Sequence, residues 1–201
     1  LERLLVAAGV VVVDTLSEME DCIRLFTMLA DRPAAGRRIG ILSEAGFECS
    51  IAADRLGKLE LAAFHPGTVE RLVAALPGHI DVHNPVDATP AITTVDYGRA
   101  VEAVIEDPGV DCLLVSSVAA TPSLNNLAAS PAHDEDITRE DSYPRIMIRL
   151  FEGTRKPAVF SINEGRIYDA AAVMMEGAGL PVFRKIDRAM RALGQFVRHV
   201  R

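Results

Sequence analysis

Short runs of aliphatic and β-branched residues recur along the chain, most of them bounded by glycine or proline and followed by a stretch with apolar positions three and four apart. The first run, 10–13 (VVVV), reads as a short strand and precedes Thr15-Leu16-Ser17-Glu18, whose spacing is that of a capping box and predicts a helix to about residue 30. Residues 38–43 (RIGILS) read as a buried strand, broken at Ala45-Gly46 and followed by helix over 49–56. A strand over 59–64 then leads to a helix over 68–76, with Thr68 as N-cap and Val69, Leu72, Val73 and Leu76 on one face. After an irregular stretch, 79–94, a helix over 95–106 is closed by Asp107-Pro108-Gly109 and runs into a core strand, 110–116 (VDCLLVS). The remaining pattern predicts helix 143–152, strand 157–162, helix 168–177, strand 182–184 and a final helix 187–197 capped by Asp187.

Strands that alternate with helices at this spacing form βαβ units, whose right-handed crossovers build a parallel sheet covered on both faces. The expectation is a doubly wound, three-layer α/β/α arrangement of about five strands, with 39–42 and 113–115 at its centre. Ligands in such folds bind at the carboxyl ends of the strands, so the loops after Ser43, Val86 and Ser116 are the places for a site. Residues 119–142 turn polar and small and predict a partly mobile surface loop.

Composition narrows the function. Of 201 residues, 49% are hydrophobic and only 5% aromatic, enough for the core of one domain packed with small and β-branched side chains. A net charge of −7 argues against a nucleic-acid partner. The cations of 184–201 are spaced along an amphipathic helix and read as its solvated face, offsetting the helix dipole. No apolar run reaches the ~18 residues of a membrane span and no signal peptide opens the chain, so neither a membrane nor export is expected and the protein should be cytoplasmic. Cys22, Cys49 and Cys112 are too scattered for a zinc site or a disulfide framework, and His65, His79, His83, His133 and His199 lack metal-ligand spacing. The chain opens on Leu1, which suggests a fragment of a longer multidomain protein.

The candidate chemistry lies at the strand ends. Ser43, Glu44, Ala45 and Gly46 stand where a strand feeds a helix, a geometry whose free N–H groups receive phosphate, although Glu44 and Glu48 would repel it and any tight turn there also uses glycine. Asn84 and Asp87, around Pro85-Val86, suit either a ligand or capping of nearby backbone. Ser116, Ser117, Thr121 and Ser123 form a possible second phosphate pocket ahead of a helical turn. Cys49, near a helix start, is a candidate nucleophile or a buried bystander. Neither a Gly-x-Gly-x-x-Gly loop nor a Walker loop is present.

The order of these fragments carries a resemblance. Asp14-Thr15-Leu16, Gly36-Arg37-Arg38-Ile39-Gly40-Ile41-Leu42-Ser43-Glu44-Ala45-Gly46 and Ala52-Ala53-Asp54 resemble the carboxy-terminal, flavodoxin-like domain of the nucleoside-diphosphate-forming acyl-CoA synthetases, the ADP-forming acetate:CoA ligase and succinyl-CoA synthetase superfamily. The similarity continues in register through Asn84-Pro85-Val86-Asp87, Asp107-Pro108-Gly109-Val110-Asp111, Lys156-Pro157, Gly177-Ala178-Gly179-Leu180-Pro181-Val182-Phe183-Arg184 and Arg188-Ala189-Met190-Arg191-Ala192-Leu193. The resemblance implies a domain that helps dock a phosphohistidine loop carried by a partner domain, with Ser43 to Gly46, Asn84 to Asp87 and Ser116 to Ser123 facing it, and no cofactor of its own. It places CoA, ADP or ATP, and Mg in the full enzyme, with CoA-binding and ATP-grasp domains as partners and a homo-oligomer possible, and it implies an inactive isolated chain. Where the family has Asn-Ala-Gly-Gly-Pro-Gly, this chain has Glu44-Ala45-Gly46-Phe47-Glu48-Cys49, and the bulk and charge of that turn equally fit a non-catalytic interaction module with a degenerate phosphate site.

Overall fold

The computed structural model describes residues 2–200 apart from 79, 119, 120, 122 and 164. Two N-terminal helices, α1 (Glu2–Ala7) and α2 (Leu16–Met28), precede β1 (Arg38–Ser43), α3 (Gly46–Asp54), β2 (Glu60–Leu61), α4 (Pro66–Ala75), β3 (Val86–Asp87), α5 (Thr94–Glu106), β4 (Cys112–Ser117), α6 (Tyr143–Glu152), β5 (Ala158–Ile162), a 3₁₀ turn (Arg166–Tyr168), α7 (Asp169–Gly177), β6 (Val182–Phe183) and α8 (Ile186–His199). All strand pairs are parallel, in the order β2-β1-β4-β5-β6, with β3 also on β1. Helices α2, α3 and α8 pack together on one side, and α4 to α7 follow one another on the other. The expected α/β/α sheet forms with six strands, and β1 and β4 at its middle are almost wholly buried. The buried apolar side chains form one connected cluster.

β2 and β3 share one edge of β1. β2 pairs with Arg38 and Ile39, β3 with Leu42 and Ser43, and the side chain of Asn84 fills the interval between them. Its Oδ1 accepts from Ile41 N–H at 3.1 Å, and its Nδ2 donates to the carbonyls of Ile39 (2.8 Å) and Ala62 (3.0 Å). An amide with an acceptor and two donors stands in here for a missing piece of strand backbone.

Several elements depart from the sequence pattern. Residues 10–13 form no strand: Val11 and Val13 lie in an apolar groove with Met19, Cys22, Ile23 and Phe26, anchored by side chains rather than by ladder bonds. The strand expected over 59–64 shortens to two residues because Asn84 takes the next positions on β1. α4 is capped by His65, whose Nδ1 accepts from Gly67 N–H, leaving Thr68 buried inside its first turn. Asp187 likewise sits inside the first turn of α8, where its charge complements the dipole, and Lys185 is the N-cap. Thr15 caps α2 as expected, accepting from Glu18 N–H, while Glu18 reaches back to Asp14 N–H.

The described part of the 119–142 stretch, residues 121 and 123–142, is fastened down. Leu124, Asn126, Ile137 and Ser142 are buried, Glu135 accepts from the N–H groups of Asn126 and Leu127, and Asn125 Oδ1 accepts from Asp136 N–H. The expectation of a mobile loop meets a folded one here; residues 119, 120 and 122 lie outside the described residues.

Candidate functional site

A register row crosses the carboxyl end of the sheet: Asp87, Ser43, Ser116, Ser161 and Phe183 stand opposite one another on β3, β1, β4, β5 and β6. Register partners on parallel strands point to the same face. The side chain that meets this row is Glu48, from the first turn of α3: its Oε2 accepts from Ser43 Oγ at 2.8 Å and from Ser116 Oγ at 2.5 Å. The turns after β1 and β4 therefore converge, as the sequence led us to expect. The two predicted phosphate-binding serines give their hydroxyl protons to a carboxylate inside the protein.

Glu44 is the second acid of the turn. Both Glu44 and Glu48 have 0% exposure. Glu44 Oε1 lies 3.5 Å from Thr121 Oγ1, while its Oε2 and the buried hydroxyls of Ser117 and Tyr143 lack well-formed partners among the described residues. Burial pushes the Glu44 carboxyl up to about 7, with the Glu48 charge adding to the rise, and nearby backbone and the Ser117 hydroxyl offset it only in part. Tyr97 and Tyr143, stacked 6.1 Å apart, close the site from α5 and α6, and Tyr97 donates to the Ser116 carbonyl at 2.6 Å. Burial raises both phenols well above their ordinary value, so both stay neutral. Glu44 and Glu48 thus sit beneath the turn instead of projecting from it.

The start of α3 is open in one respect. Ala45 is its N-cap and provides no side-chain hydrogen bond, although its own N–H reaches Ser43 Oγ at 3.2 Å. The first-turn N–H groups of a helix carry partial positive charge and accept anions. Asp87 stands against this turn: a Cβ on Gly46 would lie 2.6 Å from Asp87 Oδ2, which is why glycine is needed there, and Asp87 Oδ1 accepts from Thr89 N–H at 3.0 Å.

The remaining candidates divide. Asn84 is committed to the sheet edge, as described above. Ser123 is turned towards the start of α5, its Oγ donating to the Pro90 carbonyl at 2.5 Å and its own carbonyl accepting from Thr94. No helix begins among the described residues of 116–123, where Thr121 forms only a turn with Val118 and Leu124. Cys49 is buried and its thiol is pushed up to about 12, first by burial and then by Asp87 and Glu48, which opposes the thiolate form that a nucleophile uses. No cluster of three or more metal-ligating side chains occurs among the described residues, and His79 lies outside them. Ser161, Tyr97 and Tyr143 belong to the site without having stood out in the sequence; the signal for Ser161 is its place at the end of a core strand in register with Ser116.

No helix among the described residues is long and apolar enough to cross a membrane. A scan against models of protein families finds no match. The chain is 28% identical over 198 residues, 96% of its length, to the ADP-forming acetate–CoA ligase II subunit alpha of Pyrococcus furiosus. It is 28% identical over 200 residues, again 96% of its length, to the ADP-forming acetate–CoA ligase II of Archaeoglobus fulgidus. It spans 40% of the first relative and 27% of the second. A crystal structure of a Pyrococcus horikoshii protein superposes with a TM-score of 0.83 at 25% identity, covering 98% of this chain and 43% of that one. The dinucleotide-forming acetyl-coenzyme A synthetase 1 of Ca. Korarchaeum cryptofilum, in complex with phosphate and ADP, also gives 0.83, at 14% identity over 98% of this chain and 40% of its own, which shows the fold alone. Along almost all of its length the chain is similar in sequence to ADP-forming acetate–CoA ligases, of which it spans less than half, and it shares the fold of the matching part of an acetyl-coenzyme A synthetase.

Proposed function

We propose that the chain serves as a domain of a nucleoside-diphosphate-forming acyl-CoA ligase, an enzyme that converts acyl-CoA, NDP and phosphate to acid, CoA and NTP. In that role the carboxyl edge of its sheet receives a phosphohistidine loop from a partner domain, while CoA, nucleotide and Mg bind on CoA-binding and ATP-grasp domains. The observation that carries this reading is the uncapped start of α3, set in the turn that meets the β4 turn at one sheet edge. Fixed N–H dipoles there would stabilise a transferring phosphoryl group without reorganising.

A second reading has its own support. Glu48 holds the hydroxyls of Ser43 and Ser116, and Asp87 stands beside Gly46, so the protein's own carboxylates surround the place a phosphate would take. On this reading the fold has kept a docking role and lost phosphate affinity. Titration of inorganic phosphate, followed at the Gly46 and Phe47 amides by NMR, separates the two. Weak saturable shifts that strengthen in Glu48→Gly, or in Glu48→Gln should the glycine variant fail to fold, support the ligase reading. Silence in the native chain and in both variants supports the interaction module.

A further inference from the structure

The opposite end of the sheet, where β1 and β2 begin and α3 and α8 end, carries a groove of different chemistry. Two adjoining cavities of about 210 and 280 Å³ share Lys58, Gly194 and Arg198 in their walls; Arg55 and Arg191 line the first and Arg37 lines both the mouth of β1 and the second. Asp187 is the one carboxylate among the described lining residues. Arg37 pairs with Glu60 and Arg191 with Glu18, whereas Arg55, Lys58 and Arg198 have no ion-pair partner among the described residues. Five cations thus gather on one groove of a chain whose net charge is −7.

Helix dipoles account for part of this. Arg55 is the C-cap of α3 and Arg198 lies in the last turn of α8, where a cation offsets the terminal carbonyls. They account neither for Lys58, on the turn between α3 and β2, nor for Gly194. A glycine inside a helix costs about 1 kcal/mol relative to alanine. A Cβ there would meet nothing within 4 Å, so the packing of this chain does not ask for one to be missing. What Gly194 does is leave bare backbone on the groove wall, open to close approach from outside.

We propose that this groove docks an extended acidic peptide segment of a partner protein, its carboxylates meeting Arg191, Lys58 and Arg198 and its backbone passing over Gly194. The shape of the charge favours that occupant. Arg191 and Arg198 are two helical turns apart, roughly 10 Å, and a chain extended in the polyproline II manner returns to the same face every three residues, about 9 Å further on. The cations stand on separate elements, at the end of α3, in the turn after it, before β1 and along α8, and are divided over two adjoining cavities instead of gathering in one, as a single phosphate would require. No aromatic ring lines the groove among the described residues, so a nucleobase has nothing to stack on. The inference is independent of the ligase reading, since the groove and the Ser43 turn lie at opposite ends of the strands.

The test is fluorescence anisotropy of the 201-residue chain with a labelled peptide of repeating Glu-Gly-Gly, at low and moderate salt. Saturable binding is expected, weakened about tenfold by the pair Lys58→Glu and Arg198→Glu and about fivefold by Gly194→Leu. The pair Arg99→Glu and Arg149→Glu, an equal charge change on α5 and α6 across the sheet, should leave it almost unchanged, and circular dichroism should show all variants folded. The proposal is overturned by absence of saturable binding, by an equal loss in the Arg99 and Arg149 pair, by indifference to Gly194→Leu, or by tighter binding of ATP or of a labelled single-stranded oligonucleotide than of the peptide.

Discussion

At the amino end of the strands Asp111 accepts hydrogen bonds from the backbone N–H of Arg38 and, through both oxygens, from its guanidinium, at 2.8–2.9 Å, and its carboxyl is held below the usual range by that pairing. At the carboxyl end Glu44 is buried more deeply still and faces a second acid, no cation among the described residues is paired with it, and its carboxyl rises to about 7. The same functional group is thus driven in opposite directions within one sheet. Burial raises both acids; at Asp111 the bonded Arg38 guanidinium outweighs it, and at Glu44 burial prevails. Asp107, whose oxygens accept from His65 and Gly109 N–H, is likewise lowered, its bonded partners outweighing burial. The amino end therefore uses carboxylates as fixed fasteners, and the carboxyl end keeps one that can hold a proton near neutral pH.

The largest test of the contrast removes a fastener. Asp111→Ala leaves the Arg38 N–H and guanidinium without their acceptor at the mouth of β1 and should destabilise the chain by about 3 kcal/mol, read from urea unfolding. For a chain of this size that is a fall in Tm of roughly 9 °C. The native side chain also sets a low-pH limit. A carboxyl lowered in the folded state contributes stability above its unfolded value of 3.8, and that contribution is lost as pH falls through the folded value. Loss on acidification should be blunted in Asp111→Asn.

Glu44 should show the opposite slope. Its folded pKa lies above the ordinary 4.5, so the folded state holds more protons between 4.5 and about 7. Stability is fully present below 4.5 and declines as pH rises towards 7, by about 3 kcal/mol in all. Glu44→Gln keeps the shape, cannot ionise, and should flatten that decline in thermal melts taken between these limits. A wild-type slope that the glutamine variant leaves untouched would mean that another group carries the proton. Amide exchange offers a smaller check at the same end: Leu127 and Ile137, tied through Glu135 and to each other, should be protected on the timescale of the neighbouring helices.

Much of the fold is legible in the sequence because local pattern and final packing agree. β1 at Arg38–Ser43 and α6 at Tyr143–Glu152 fall where periodicity puts them, since each is a long run with one clear period and a cap or breaker at its end. Failures cluster where a distant residue competes. The 59–64 strand is cut short by Asn84, and residues 10–13 are held by side-chain packing against α2 instead of joining the sheet. The convergence of Ser43 and Ser116 follows from the strand-end rule, but the role of Glu48 does not, because its partner Ser116 is 68 residues away and nothing local says which way the side chain turns. The basic groove is the extreme case. Arg37, Arg55, Lys58, Arg191 and Arg198 are scattered over most of the chain, and only the return of α8 along the sheet brings them together.

The smallest effect concerns Gly194 and sets the two ends of the sheet against each other once more. Gly46 at the carboxyl end is required by the chain itself, since a Cβ would strike Asp87; Gly194 is not, since a Cβ would strike nothing. Gly46→Ala should therefore destabilise, whereas Gly194→Ala removes an entropic cost of the unfolded chain and improves helix propensity, and should stabilise by about 0.5–1 kcal/mol. A rise in Tm of a few degrees in the second variant, with weaker binding of the acidic peptide, would show stability given up at this position for contact with a partner. A fall in Tm would mean that Gly194 serves α8 itself, and the groove would lose the residue that marks it as a binding surface rather than a solvated stripe of cations.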